Sequence, residues 1–118
     1  MGCRLPGSGY KAVFKGARVF RGRFCVAHVS TGGTPGRGPA AGVIAAKRTF
    51  RRAVDRNRAK RLMREAFRLV APGLENGFEC ILVARGAITR ETGMGEVRAD
   101  IEKTFRKAKR GDTAGGLK

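Results

Sequence analysis

The chain has 118 residues, one domain's length, and carries 26 Lys and Arg against 9 Asp and Glu, a formal net charge of +17. Such a chain repels itself unless nucleic acid, an anionic membrane surface or an acidic protein supplies counter-charge. Cys3, Cys25 and Cys80 are an odd, widely spaced set that suggests neither a disulfide framework nor a zinc site, and with no ~18-residue apolar run and no signal-peptide core a cytoplasmic protein is expected.

Tyr10, Val13 and Phe14 stand at i, i+3 and i+4, which predicts a short helix from about Gly9 to Lys15, ended by Gly16. From Val19 to Val29, Phe20, Phe24, Val26 and His28 alternate with Val19, Arg21, Arg23, Cys25 and Ala27, the period of a strand. Gly22 marks a bend or bulge, so this segment is one strand or two broken there. Ser30 to Ala41 is rich in Gly and Pro, has nothing to bury, and is expected to be a flexible hairpin connection.

Gly42 to Ala46 predicts a second, central strand. The run Lys47 to Arg68 then packs ten basic side chains against two acidic ones, and most of it has helical periodicity. At about 100° per residue, Arg56, Asn57, Arg58, Lys60, Arg61, Arg64 and Arg68 share one half of the wheel. Ala59, Leu62, Met63, Ala66, Phe67, Leu69 and Val70 share the other. Pro72-Gly73 stops the helix.

Phe78 to Ala84 predicts a third strand buried on at least one face. Met94, Val97, Ile101, Phe105 and Ala108 recur at helical spacing within a final amphipathic helix from about Gly93 to Lys109, with Glu102, Lys103, Arg106 and Lys107 outside. The expected fold is α+β, a two-layer α/β sandwich of order αββαβα whose first strand segment is open to splitting, with the helices on one face of a mixed sheet. It is a single domain over 1–118, with its core at about 9–109 and a frayed tail at 111–118.

The apolar half of the basic helix is about as broad as a core-facing helix needs, which argues against a membrane-surface helix. Arg56, Lys60, Arg64 and Arg68 stand at successive i+4 steps, where like charges each cost a few tenths of a kcal/mol. A face that destabilises its own helix points to a ligand. Arginine suits bidentate contact with phosphate oxygens. Asn57 adds a directional donor and acceptor, and Lys47, Arg48, Arg51 and Arg52 add four cations just before the helix.

Tyr10, Phe14, Phe20 and Phe24 fit either a core or a platform stacking on unpaired bases. His28 has no ligand partner in the pattern. Neither a paired-carboxylate, a metal-ligand nor a Cys/His arrangement is visible, so the protein's own side chains are not expected to break bonds. A ribosomal-type RNA binder and a DNA regulator placing the helix in a major groove stay open.

At Ala46 to Arg68 the chain closely resembles the signature of the bacterial ribonuclease P protein component, and the Arg-Asn-Arg-x-Lys-Arg-x-x-Arg-Glu core at 56–65 is matched without a gap. Tyr10 to Gly16 with Phe24 is similar to that family's opening pattern, and Phe78 to Gly86 to its later strand and turn. The resemblance spans about residues 9–109. It implies a sandwich like one domain of a small-subunit ribosomal protein, with a left-handed connection between the parallel strands flanking the basic helix, against the usual handedness.

It also implies the protein subunit of an endoribonuclease that removes the 5′ leader from precursor tRNA, a catalytic RNA and its Mg²⁺ doing the chemistry. The implied partners are that RNA and precursor tRNA, with no membrane and no obligate protein partner, and the implied Mg²⁺ is held mainly by the RNA. On this reading Arg51, Arg52, Arg56, Asn57, Arg58, Lys60, Arg61, Arg64 and Arg68 meet the RNA subunit. Tyr10, Phe14, Lys47 and Arg48 receive the leader. Ala27 stands where some members carry an aromatic in the leader cleft.

Overall fold

The computed structural model describes residues 17–30, 38–74 and 77–109. The helix expected at 9–15, most of the 30–41 connection and the 111–118 tail lie outside them. The segment open to splitting forms two strands, β1 (Arg18–Arg21) and β2 (Cys25–Ser30), which pair antiparallel from Arg18↔Val29 to Arg21↔Val26. β3 (Ala40–Ile44), helix α1 (Ala53–Val70), a 3-10 turn at Ala71–Gly73, β4 (Glu79–Ala84) and helix α2 (Met94–Lys109) follow.

The sheet order is β1-β2-β4-β3, with β4 antiparallel to β2 and parallel to β3. Two expectations are corrected by this order. The 30–41 segment is no hairpin connection, because β4 lies between the strands it joins; Ser30 and Ala40 both pair with Glu79 from opposite sides, and both ends of the segment belong to strands. β3 is an edge strand rather than a central one. The central place goes to β4, whose Cys80, Ile81 and Leu82 are all 0 % exposed and apolar on both faces, as a doubly covered strand requires.

Period-two alternation assigns one sheet face to the helices. Phe20, Cys25, Ala27, Val29, Ala41, Val43, Cys80, Leu82 and Ala84 form one core with Ala59, Met63, Ala66 and Phe67 of α1 and Val97, Ile101 and Phe105 of α2. The ring of Phe105 stands edge-on to Phe67 and Phe78, with centroids 6.1 and 5.1 Å apart, which ties both helices to the start of β4. Phe20 and Phe24 are core residues, which removes them as stacking candidates. Ala27 also lies under the helices, within that core.

The apolar half of α1 is narrower than its wheel. Leu69 is exposed and Leu62 half-buried, because full burial is confined to the 59-63-66-67 stripe, with Leu62 and Val70 packed at its margins. Helix α1 gives way to the 3-10 turn where Pro72, lacking an N–H, cannot continue it. Gly77, at φ 85°, swings the chain into β4.

The β1–β2 corner is built around Gly22. Its N–H donates to the Cys25 carbonyl at 2.9 Å, and the backbone N–H groups of Arg23 and Phe24 donate to Asp100 Oδ1 and Oδ2, each at 2.9 Å. A Cβ at position 22 would stand 2.5 Å from Asp100 Oδ2 and 2.7 Å from Thr104 Oγ1. Neither neighbour is free to yield, since Thr104 Oγ1 itself donates to the Asp100 carbonyl at 2.8 Å.

Gly22→Ala therefore costs about 1–3 kcal/mol in chemical denaturation. Met63→Ala, at a fully buried site, costs about 2–5 kcal/mol, and Leu62→Ala clearly less.

Candidate nucleic-acid interface

With Met63 and Phe67 seated on the sheet, the opposite face of α1 turns to solvent. Asn57, Arg61 and Arg64 are exposed there, and Lys60 is half-buried beside them. The remaining basic residues of the helix have partners within the chain. Arg68 pairs with Glu65 one turn back. Arg56 Nη1 donates to the Phe50 carbonyl at 2.9 Å and the Arg51 carbonyl at 3.2 Å, holding down the approach to the helix.

Arg58 reaches the other way. Its Nη1 donates to the Thr89 carbonyl at 2.8 Å and its Nη2 to the Thr92 carbonyl at 2.7 Å, a two-pronged clamp on the loop after β4. That loop is also braced internally, Thr89 N donating to Thr92 Oγ1 and Thr92 N to the Thr89 carbonyl. The wheel places Arg56 and Arg58 beside Arg61 and Arg64, but the fold gives them different work. Their guanidinium groups donate to backbone carbonyls of the segments on either side of the helix start.

Between the start of α1 and the clamped loop lies an open groove of about 480 Å³, with Arg51, Arg52 and Arg58 on one wall and Arg90 and Glu91 on the other. Arg90 Nε donates to Asp55 Oδ1 at 3.3 Å across it. No side chain caps the helix start at Arg52, so the helix dipole and the arginines add their positive potentials at one place. Asp55 in the first turn offsets part of that.

Lys47, Arg48 and Thr49 are exposed in a turn that begins where Ala46 accepts from the N–H groups of Thr49 and Phe50. Tyr10 and Phe14 lie outside the described residues. The sheet face away from the helices carries Val19, Val26, His28, Ile44, Ile81 and Val83, in which Ile81 is 0 % exposed. Burial lowers the His28 pKa, so its imidazole is neutral at pH 7 and adds no charge to this face.

Burial, reinforced by the Asp100 carboxylate and opposed by Arg85, pushes the Cys25 thiol up to about 12. Burial raises Cys80 as well, with Cys25 a lesser cause. Both thiols stay protonated at neutral pH and are poor nucleophiles. Among the described residues no three His, Cys, Asp or Glu side chains gather as metal ligands. The surface can bind a polyanion and position it.

Sequence reasoning missed Arg85 and Arg90, which follow a strand and look like ordinary turn cations. Only the parallel pairing of β3 with β4 brings the segments after both strands to one end of the sheet, where a Cβ at Gly86 would touch the Thr49 side chain at 3.8 Å.

A family model described as Ribonuclease P matches residues 6–109. The chain is 37% identical over 102 residues to the ribonuclease P protein component of Symbiobacterium thermophilum, covering 84% of each. It is 33% identical over 98 residues to that of Caldanaerobacter subterraneus subsp. tengcongensis, covering 83% of this chain and 81% of the relative. In fold it is similar to the RNase P protein of Staphylococcus aureus, with TM-score 0.72, 19% identity, and 92% and 97% of the two chains covered. The Thermotoga maritima RNase P protein gives TM-score 0.72, 20% identity, and 87% and 96% coverage.

The two classes of arginine separate experimentally. Arg58→Ala frees the 85–92 loop, speeds hydrogen exchange at the Thr89 and Thr92 amides, and costs about 1–2 kcal/mol. Arg61→Ala, at an exposed site, leaves both exchange and melting unchanged.

Proposed function

The chain belongs to the ribonuclease P protein component family, part of an endoribonuclease, and from that premise we propose that it binds the catalytic RNA subunit and the single-stranded 5′ leader of precursor tRNA. The RNA performs the cleavage and the protein supplies positive charge where polyanions must converge. The observation that carries this reading is the solvent face of α1, where Asn57, Arg61 and Arg64 project beside Lys60, continuous with the arginine-walled groove at the helix start.

On this proposal Asn57, Lys60, Arg61 and Arg64 contact the RNA subunit directly, joined by Arg51 and Arg52 at the groove. Arg56 and Arg58 contribute by fixing the backbone that carries the others, and Arg68 sits at the far end beside Glu65. Lys47 and Arg48, with Tyr10 and Phe14 in the opening segment, are assigned to the leader. Neutralising several phosphates releases condensed counterions, so binding gains free energy that depends steeply on salt.

Mg²⁺ supplies the charge and the activated water that phosphodiester hydrolysis needs. The described side chains do not fit it as a resident ion. Among the described residues no three His, Cys, Asp or Glu side chains gather to hold it, and Asp55, Glu65 and Glu102 pair with arginines. The RNA is the better host for the metal. No described helix is long and apolar enough to cross a membrane; the proposed location is the cytoplasm, with no obligate protein partner.

Two measurements test the proposal. Adding the protein to a bacterial ribonuclease P RNA and precursor tRNA at low Mg²⁺ should stimulate leader removal; absence of stimulation would leave a structural, ribosomal-type RNA binder as the better reading. Affinity for the catalytic RNA should fall roughly a thousandfold between 50 and 200 mM monovalent salt, and a flat response would remove the electrostatic account.

A further inference from the structure

The β1–β2 corner presents a second concentration of positive charge, far in sequence from the basic helix. Arg21, Arg23 and Arg85 are all exposed. The register Cys25↔Ala84 and Ile44↔Val83 brings residues 22–24, 45–48 and 85–86 to the same end of the sheet, and Arg85 N donates to the Phe24 carbonyl at 2.8 Å. The corner therefore lies at the same end of the sheet as Lys47 and Arg48.

Three features make it a rigid cationic surface rather than a loose set of solvated side chains. The carboxylate beside it, Asp100, is spent on the Arg23 and Phe24 backbone N–H groups. Arg85 Nη1 donates to the Gly22 carbonyl at 2.8 Å, which fixes the guanidinium while leaving its other donors for a ligand. The Arg23 guanidinium lies over the Phe24 ring, 5.1 Å from its centroid, so its position is set by packing and its N–H edges stay free of a carboxylate.

Asp100 of α2 offsets one unit of this positive charge, leaving the three guanidinium groups in excess. Lys107 of α2 adds a further cation, its Nζ 3.5 Å from the Arg21 carbonyl. The ion pairs among the described residues, Arg68–Glu65, Arg90–Asp55 and Arg98–Glu102, all lie elsewhere.

We propose that Arg21, Arg23 and Arg85, held by Asp100 around Gly22, form a second RNA-backbone contact that grips phosphates beyond those reached by α1. The inference rests on the RNA-binding reading above and extends it to a surface outside the basic run. Its ligand is the phosphodiester backbone of folded RNA, which the planar guanidinium fork matches geometrically.

The test compares three charge-matched double variants of the full chain for binding to an in vitro-transcribed bacterial ribonuclease P RNA across a salt series. These are Arg21→Gln with Arg23→Gln at the corner, Arg61→Gln with Arg64→Gln on α1, and Arg98→Gln with Lys103→Gln on the outer face of α2. The corner variant should lower the magnitude of the log–log salt slope by about two, as should the α1 variant, while the α2 variant stays at wild type.

Loss at α1 without loss at the corner overturns this inference and leaves the RNA-binding reading standing. Loss at neither overturns that reading itself, and equal loss in all three makes the corner one part of a diffuse charge cloud, which also overturns the inference. If the corner double variant melts below wild type, Arg23→Gln alone is scored the same way, with an expected slope change of about one.

Discussion

The seating of Ala59, Met63, Ala66 and Phe67 on the sheet sets the rotation of α1 about its axis, and through it the identity of every cation the helix can offer. A turn of one residue, 100°, would carry Arg64 towards the core and expose Met63. Burying an unpaired guanidinium costs several kcal/mol, so the apolar stripe and the arginine stripe enforce one another. The edge-on Phe67–Phe105–Phe78 contacts extend that registration to α2 and the start of β4.

Charge is the second constraint, and the fold distributes it unevenly. The few carboxylates are used structurally: Asp55 spans the groove to Arg90, Glu96 satisfies the Gly93 N–H at the entry to α2, and Asp100 holds the Gly22 corner. Some arginines are likewise turned to internal work, Arg56 and Arg58 on backbone carbonyls and Arg85 on Gly22. Exposed cations gather on the outer face of α1 and at the end of the sheet where β3 and β4 finish, with Lys103 and Arg106 on α2 besides. A polyanion meeting the molecule there finds donors on rigid supports, which limits the entropy lost on binding.

Arginine serves both purposes for one chemical reason. The planar fork presents five donors, enough to satisfy two carbonyls, as in Arg58, or to bridge two phosphate oxygens. A run of arginines is therefore ambiguous: the same motif contains struts and contacts, and side-chain direction alone separates them.

Much of the architecture was legible along the chain. The period-two run at 19–29, the apolar strand at 78–84, the stop at Pro72-Gly73 and the amphipathic helix at 94–109 each follow from local rules, and the gapless match at 56–65 pointed to the family. Local patterns could not place β3 at an edge, insert β4 between β2 and β3, or show that Leu69 faces water, because strand order and helix rotation are settled by non-local burial. For the same reason the sequence by itself determined that this chain is a polycation with an arginine-faced helix. Only the tertiary structure decided which arginines are struts, and that Arg21, Arg23 and Arg85 share one corner, since hydrogen-bond geometry and the crossing of parallel strands exist only after the chain has folded.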